Sequence, residues 1–257
     1  GRTRDVRTVV VGASSGLGRC IGIGLAQRGG QVAMLARRRA LLDDAAKEAG
    51  PGTLVVECDV TDEASCRAAV AEAAAGLGGI DALVYAPGIG PLAKLVDTDA
   101  ETWRRVFDTN VTGASLVTAA AISHLTESAG AAIYLSSVSA SNTPPWPGLG
   151  AYAVSKAALE KLVDAWRTEH PGVGFTRLVV GDCAGGDGDG MTQFANGWDP
   201  DVVAEVYPIW AARQYLSGTI MDVERLVGMV HAVLSEGAGV SVPSITVAPR
   251  PVHQALT

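Results

Sequence analysis

The sequence predicts a single-domain, doubly wound α/β fold: one parallel seven-stranded sheet with helices on both faces. Three observations carry that expectation. Short β-branched runs alternate with longer Ala/Leu-rich stretches, the pattern of repeated strand–helix–strand units. The β-branched runs are apolar throughout, as strands covered on both faces are. No linker, composition break or longer repeat interrupts the 257 residues, so residues 1–257 read as one domain.

In chain order, strands are expected at 6–11, 31–36, 53–58, 80–85, 131–136, 174–180 and 242–247. Helices are expected at 17–29, 39–49, 63–76, 101–127, 151–169 and 222–235. The third helix opens at Thr61 or Asp62, with acidic residues in its first turn. Inside 101–127, Asn110-Val111-Thr112-Gly113 gathers residues unfavourable in a helix interior, which predicts a local kink. Residues 128–155 carry no charge, yet Pro144, Pro145, Pro147 and many serines bar them from spanning a membrane. The least regular stretch is 181–218, and 181–221 reads as a substrate lid holding Phe194, Trp198, Tyr207, Trp210 and Tyr215.

Composition narrows the function. The net charge of −7 argues against a nucleic-acid or anionic-lipid surface, so the expected partner is a small molecule, with no nucleic acid and no membrane. Cys20, Cys58, Cys66 and Cys183 form no C-x-x-C pair, and Asp182, Asp187 and Asp189 do not fit a calcium loop, so no metal is expected. Arg2, Arg4, Asp5 and Arg7 lead directly into a short apolar run, unlike a secretory leader, and with the scattered cysteines this suggests a cytoplasmic protein. The 31 glycines exceed the roughly 18 that the usual ~7% would give, and with no Gly-x-y period they belong in special turns.

The first such turn is Gly12-Ala13-Ser14-Ser15-Gly16-Leu17-Gly18, between the first strand and the first helix. Glycines there let the backbone approach a pyrophosphate at a helix N-terminus, where free N–H groups and the helix dipole favour negative charge. Further on, Tyr152 and Lys156 stand four apart at the start of a helix, so both project from one face. A free tyrosine titrates near pH 10, and moving it to about 7 takes ~4 kcal/mol of stabilisation of the phenolate. The Lys156 ammonium is of the right sign, and the charge-free segment 128–155 is expected to place no carboxylate against it from that side. Ser136-Ser137-Val138 ends the fifth strand, where ligands of open α/β sheets bind.

The Gly-x-x-x-Gly-x-Gly loop, the serine strand end and Tyr152-x-x-x-Lys156 together resemble the short-chain dehydrogenase/reductase family, from about residue 6 to 181 and more loosely beyond. The resemblance implies a Rossmann-like fold, a nicotinamide dinucleotide held by Gly12, Ser14, Ser15, Gly16, Leu17 and Gly18, and hydride transfer to or from a carbonyl. In that scheme Tyr152 is the proton donor, Lys156 lowers its pKa and holds the nicotinamide ribose, Ser137 holds the substrate oxygen, and Asn110 steadies a proton relay. Ser139 keeps the family's spacing to Tyr152. Ser137 is preferred because Pro144-Pro145-Trp146 reads as a two-residue loop insertion, which loops absorb more easily than strand ends.

The resemblance also implies that Asp59 and Val60 hold adenine, Ala86 and Gly88 flank the cofactor, and Gly181 and Thr192 hold the nicotinamide end. Three departures stand out. Val11 replaces the usual Thr before the loop, Tyr85-Ala86-Pro87-Gly88 replaces Asn-Asn-Ala-Gly, and Val180-Gly181 replaces Pro-Gly. The loss of the asparagines puts the hydrogen bonds tying that loop to its neighbours in question. Ala36 stands where an acidic residue would accept the ribose 2′-hydroxyl, and Arg37, Arg38 and Arg39 follow, so NADP(H) is favoured over NAD(H), with Arg37 the leading residue.

The expected protein is an NADP(H)-dependent carbonyl reductase or alcohol dehydrogenase. Trp146, Phe194, Trp198, Tyr207 and Trp210 suggest an aromatic-lined entrance and a hydrophobic substrate. Family resemblance implies a homotetramer or homodimer packed through 101–127 and 151–169. The competing readings are a non-catalytic dinucleotide sensor on the same fold and an NAD(H) enzyme.

Overall fold

The computed structural model describes residues 5–185 and 193–251. Within them β1 (Arg7–Val11), β2 (Gln31–Ala36), β3 (Leu54–Glu57), β4 (Ala82–Tyr85), β5 (Ala131–Ser137), β6 (Gly174–Val180) and β7 (Ser244–Val247) form one sheet, ordered β3-β2-β1-β4-β5-β6-β7, with every pairing parallel. The strand order reverses between β1 and β4, and the crevice at their carboxyl ends is where such sheets bind ligands.

Successive strand residues face opposite layers, as the two-residue period requires. Val9 and Val11 join a cluster with Cys66 and Val70 of α3 (Glu63–Leu77), Val117 of α5 (Gly113–Ser128) and Leu159 of α7 (Gly150–Glu169). Val10 joins a second cluster with Ile21 of α1 (Gly16–Gln27), Leu42 of α2 (Arg39–Ala49) and Val227 of α9 (Val223–Ser235). Helices therefore cover both faces. The α3 start is set by Asp62, whose Oδ1 accepts from the Ser65 N–H at 3.0 Å.

The stretch 101–127 is not one regular helix. Between α4 (Ala100–Phe107) and α5 lies a π-helical turn over Asp108–Thr112, which holds most of the cluster where a kink is expected. The irregular stretch 181–218 is also corrected, because it contains α8 (Pro200–Ala212). Asp199 caps that helix, its Oδ1 accepting from the Asp201 N–H at 2.9 Å, and Pro200 takes the first turn, where a missing N–H costs nothing. Pro208 inside the helix obscures the signal, since proline there removes a backbone hydrogen bond. A short α6 (Val138–Ser141) also follows β5 directly. Among the described residues, no helix is long and apolar enough to cross a membrane.

Candidate active site

The glycine loop leaves β1 at Gly12, whose N–H donates to the Leu35 carbonyl at 2.8 Å. Gly12 and Gly16 adopt φ of +78° and +58°, the left-handed region that favours glycine. Gly18 has another reason to be glycine: a Cβ there would lie 2.2 Å from the Gly12 carbonyl oxygen and 2.9 Å from Ala86 Cβ. Ser15 precedes α1 in extended conformation and its side chain caps no N–H of the first turn. A Cβ on Gly16 would meet nothing within 4 Å. An open cradle beside uncapped N–H groups fits a pyrophosphate.

Arg38 reaches this cradle, its Nη2 donating to Ser15 Oγ at 3.0 Å and to Ser14 Oγ at 3.3 Å. Arg37 instead acts on Asp59. The Asp59 carboxyl is held below its ordinary range mainly by the Thr61 hydroxyl and N–H, which donate to Oδ1 at 2.7 and 3.0 Å, with a smaller contribution from Arg37. Val60 packs beside Gly113, where a Cβ would lie 2.9 Å from the Val60 carbonyl oxygen.

Across the crevice, Tyr85 and Asn110 tie the loop after β4. The buried Tyr85 phenol donates to the Thr109 carbonyl at 2.5 Å, inside the π turn. Asn110, fully buried, accepts from the Ile89 N–H at 2.8 Å and donates through Nδ2 to the Ile89 carbonyl and to Ser155 Oγ, both at 2.9 Å. These bonds bind the loop carrying Ala86 and Gly88 without the missing asparagines. Tyr85→Phe is therefore expected to lower stability by about 1–3 kcal/mol, the cost of leaving a buried carbonyl unpaired. Chemical denaturation of both proteins measures it, and equal midpoints and slopes would show that the phenol carries no such load.

At the carboxyl end of β5, Ser137 caps α6. Its Oγ accepts from the Ser139 N–H at 3.2 Å and lies 2.9 Å from Ser139 Oγ. The Ser137 hydroxyl also draws the pKa of the Tyr152 phenol down. Lys156, one turn on and 3% exposed, donates Nζ to the Leu135 carbonyl at 2.8 Å, and its Nζ lies 5.8 Å from the Tyr152 ring centroid. A Cβ on Gly88 would crowd that Nζ at 2.9 Å. The fold thus gathers Ser137, Tyr152, Lys156, Gly88 and Asn110 at one place.

Burial dominates the electrostatics of this pair. Burial pushes the Tyr152 phenol up to about 12, with Ser137 pulling the other way, and pushes Lys156 down to about 8. The lysine is itself desolvated and spends a donor on Leu135. A carboxylate does lie near, from outside the charge-free segment 128–155. Glu160, on the next turn of α7, is buried and raises the Lys156 pKa, partly offsetting the effect of burial. Its four-residue spacing from Lys156 was visible in the sequence, but its burial was not.

The aromatics form a small core between α8 and its neighbours more than an entrance. Trp146 and Trp210 are buried together with Leu92, Leu149 and Val206, and the Trp210 indole donates to the Pro147 carbonyl at 2.8 Å. Tyr207 is half exposed. Phe194 lies over the site, its ring centroid 4.7 Å from that of Tyr152, and Trp198 donates to the Gly90 carbonyl at 2.8 Å. Gly181 follows β6, its N–H donating to the Val247 carbonyl at 2.9 Å, and a Cβ there would lie 2.6 Å from Ala248 Cβ. Thr192, Asp187 and Asp189 lie outside the described residues. Among the described residues, no group of three His, Cys, Asp or Glu could hold a metal ion.

Comparison with known proteins matches residues 7–183 to the family described as short chain dehydrogenase. A short chain dehydrogenase of Pseudocercospora fijiensis is 35% identical over 187 residues, 70% of this chain and 60% of that protein. A Xanthobacter autotrophicus protein named inactive 2-(S)-hydroxypropyl-CoM dehydrogenase 2 is 36% identical over 153 residues, 59% of this chain and 66% of that one. The matches thus span about two thirds or less of these relatives' length. Among solved structures, a short-chain type dehydrogenase/reductase from Mycobacterium marinum superposes with a TM-score of 0.80 at 25% identity, covering 96% of this chain and 95% of that one.

Proposed function

The chain belongs to the short-chain dehydrogenase/reductase family, whose members are oxidoreductases that bind a nicotinamide dinucleotide, and on that premise we propose that it reduces a carbonyl, or oxidises the matching secondary alcohol, on a small hydrophobic molecule with NADP(H). The observation that carries this reading is the gathering of Ser137, Tyr152 and Lys156 at the β5 end, beside the Gly88 loop. The bound dinucleotide supplies or accepts the hydride. Gly12, Gly16 and Gly18 shape the pyrophosphate cradle, Asp59 and Val60 stand at the adenine end, and Gly88 and Gly181 line the nicotinamide end.

Tyr152, protonated at neutral pH with its phenol near 12, gives its proton to the substrate oxygen in reduction. Ser137 orients that oxygen and holds the phenol's pKa down. Lys156 restores the lost charge balance as the phenolate forms. Asn110 acts through position, tying the Ile89 backbone to Ser155 of α7. NADPH consumption across a panel of ketones and aldehydes tests the reading, and no turnover on any carbonyl with either dinucleotide defeats it. Family membership also makes an oligomer packed through α4, α5 and α7 the expected assembly, which sedimentation reads.

The non-catalytic sensor stays as the second reading because Phe194 packs on the Tyr152 ring. Tight NADPH binding without turnover would favour it.

Preference for the 2′-phosphate is assigned to Arg38 more than to Arg37. Arg38 already addresses the Ser14 and Ser15 hydroxyls of the cradle, and Ala36 leaves no carboxylate to repel a phosphate. Loss of a charge-assisted hydrogen bond costs about 1.5–3 kcal/mol, so Arg38→Ala is expected to weaken NADPH about ten- to hundredfold and leave NADH nearly unchanged. Titration of each dinucleotide by intrinsic fluorescence decides. Equal losses for both would assign the arginine to general phosphate attraction and return the NAD(H) reading.

A further inference from the structure

Behind Tyr152 and Lys156 lies a buried carboxylate that the chemistry above leaves without a role. Glu160, one turn beyond Lys156 on α7, is 6% exposed. Its Oε1 accepts from Ser136 Oγ at 3.0 Å and from Ser141 Oγ at 3.4 Å. Ser136 is the neighbour of Ser137 at the end of β5, and Ser141 closes α6, whose first turn Ser137 caps. One carboxylate therefore joins three elements: the strand that presents the serine, the short helix that orients it, and the helix that carries the tyrosine and lysine. A carboxylate is kept in so dry a place only when hydrogen bonds or a cation compensate its desolvation.

Resting on the oxidoreductase reading, we propose that Glu160 is a positioning residue that clasps the β5 end and α6 to α7, setting the Ser137 hydroxyl and the Lys156 ammonium in place around Tyr152. The groups facing Lys156 are the Leu135 carbonyl from β5, Gly88 from the loop after β4, and Tyr152 and Glu160 from α7 itself. Glu160 is the carboxylate that opposes the effect of burial on this lysine, whose pKa burial draws down to about 8. Without that charge burial acts alone, and the lysine loses its proton at lower pH.

Two variants separate the parts of the claim. Glu160→Gln keeps an oxygen for Ser136 and removes the charge, whereas Glu160→Ala removes both. In Glu160→Gln the alkaline limb of the kcat profile for carbonyl reduction is expected to move to lower pH by about one unit. In Glu160→Ala kcat is expected to fall about ten- to hundredfold with KM for the dinucleotide changed less, as a misplaced constellation predicts. A readout independent of turnover is the Lys156 Cε resonance in 13C-lysine-labelled protein, assigned with Lys156→Arg and titrated with pH. It is expected to titrate lower in Glu160→Gln than in the unsubstituted protein. An unchanged titration, or full kcat in Glu160→Ala, overturns the proposal. Should Glu160→Ala fail to fold, Glu160→Gln still decides by titration. If the unsubstituted protein turns over no carbonyl, the oxidoreductase reading fails, while the lysine titration still judges Glu160.

Discussion

Tyr152→Phe is expected to lower kcat for carbonyl reduction by about 10²- to 10⁴-fold, the usual worth of a positioned proton donor. Dinucleotide binding should be nearly unchanged. The substitution removes one oxygen and keeps the ring, so the contact with Phe194 at 4.7 Å between centroids survives. It also leaves the Ser137 hydroxyl its neighbour Ser139, 2.9 Å away, so no buried group is stranded. A large loss would therefore report chemistry and not collapse of the site. Direction matters too. With the phenol near 12, the donor form is present throughout the neutral range, whereas alcohol oxidation needs the phenolate and should climb as pH rises. Ser137→Ala removes the hydroxyl that holds this pKa down, so it should push the phenol higher and slow oxidation more than reduction. Single-turnover rates for both directions across pH, beside dinucleotide titration, check the set. A phenylalanine variant reducing ketones at the original rate would remove Tyr152 from the chemistry.

What the sequence disclosed follows the range over which each determinant acts. The strand runs, the glycine loop and the Asn110-Val111-Thr112-Gly113 cluster are local, and the structure places strands, a tight strand-to-helix turn and a π turn there. The tie between Tyr85 and Thr109 spans 24 residues and substitutes a phenol for absent amides, which no family pattern could show. Three consecutive arginines look alike in sequence. The extended backbone of Arg38 at the start of α2, with φ −93° and ψ 92°, accompanies its reach to Ser14 and Ser15. The aromatics of 194–215 were legible as a group but not by role, because whether an indole lines an entrance or fills a core depends on what packs over it. Here Trp210, carried by α8, sits 5.3 Å from Trp146 between ring centroids, in a cluster with Leu92, Leu149 and Val206.

Gly18→Ala is the second change of large expected effect, and Gly16→Ala is its control. The two glycines lie in one motif but are required for different reasons. At Gly18 a methyl would meet the Gly12 carbonyl oxygen at 2.2 Å and Ala86 Cβ at 2.9 Å. Neither is the far end of a flexible side chain: Gly12 is held by its N–H bond to Leu35, and Ala86 by its N–H bond to the Val11 carbonyl at 3.1 Å. Overpacking of this kind costs about 3 kcal/mol at the upper end of its usual range, which for a chain of this size lowers Tm by about 6 to 12 °C. Gly16 has open space around its missing Cβ, so alanine there pays only for a left-handed φ of +58°. That cost is about 1 kcal/mol, or roughly 2 to 4 °C. Yet the Gly16 methyl would project into the cradle before the uncapped N–H groups of α1, so its main effect should be on the dinucleotide. The expected signature is a crossed pair: Gly18→Ala melts early even without dinucleotide, while Gly16→Ala melts near the unsubstituted protein but loses most of the thermal shift that NADPH confers. If Gly18→Ala melted within about 2 °C of the unsubstituted protein, less than 1 kcal/mol on the same scale, the close crossing of α1 over Gly12 would not be what fixes the cradle.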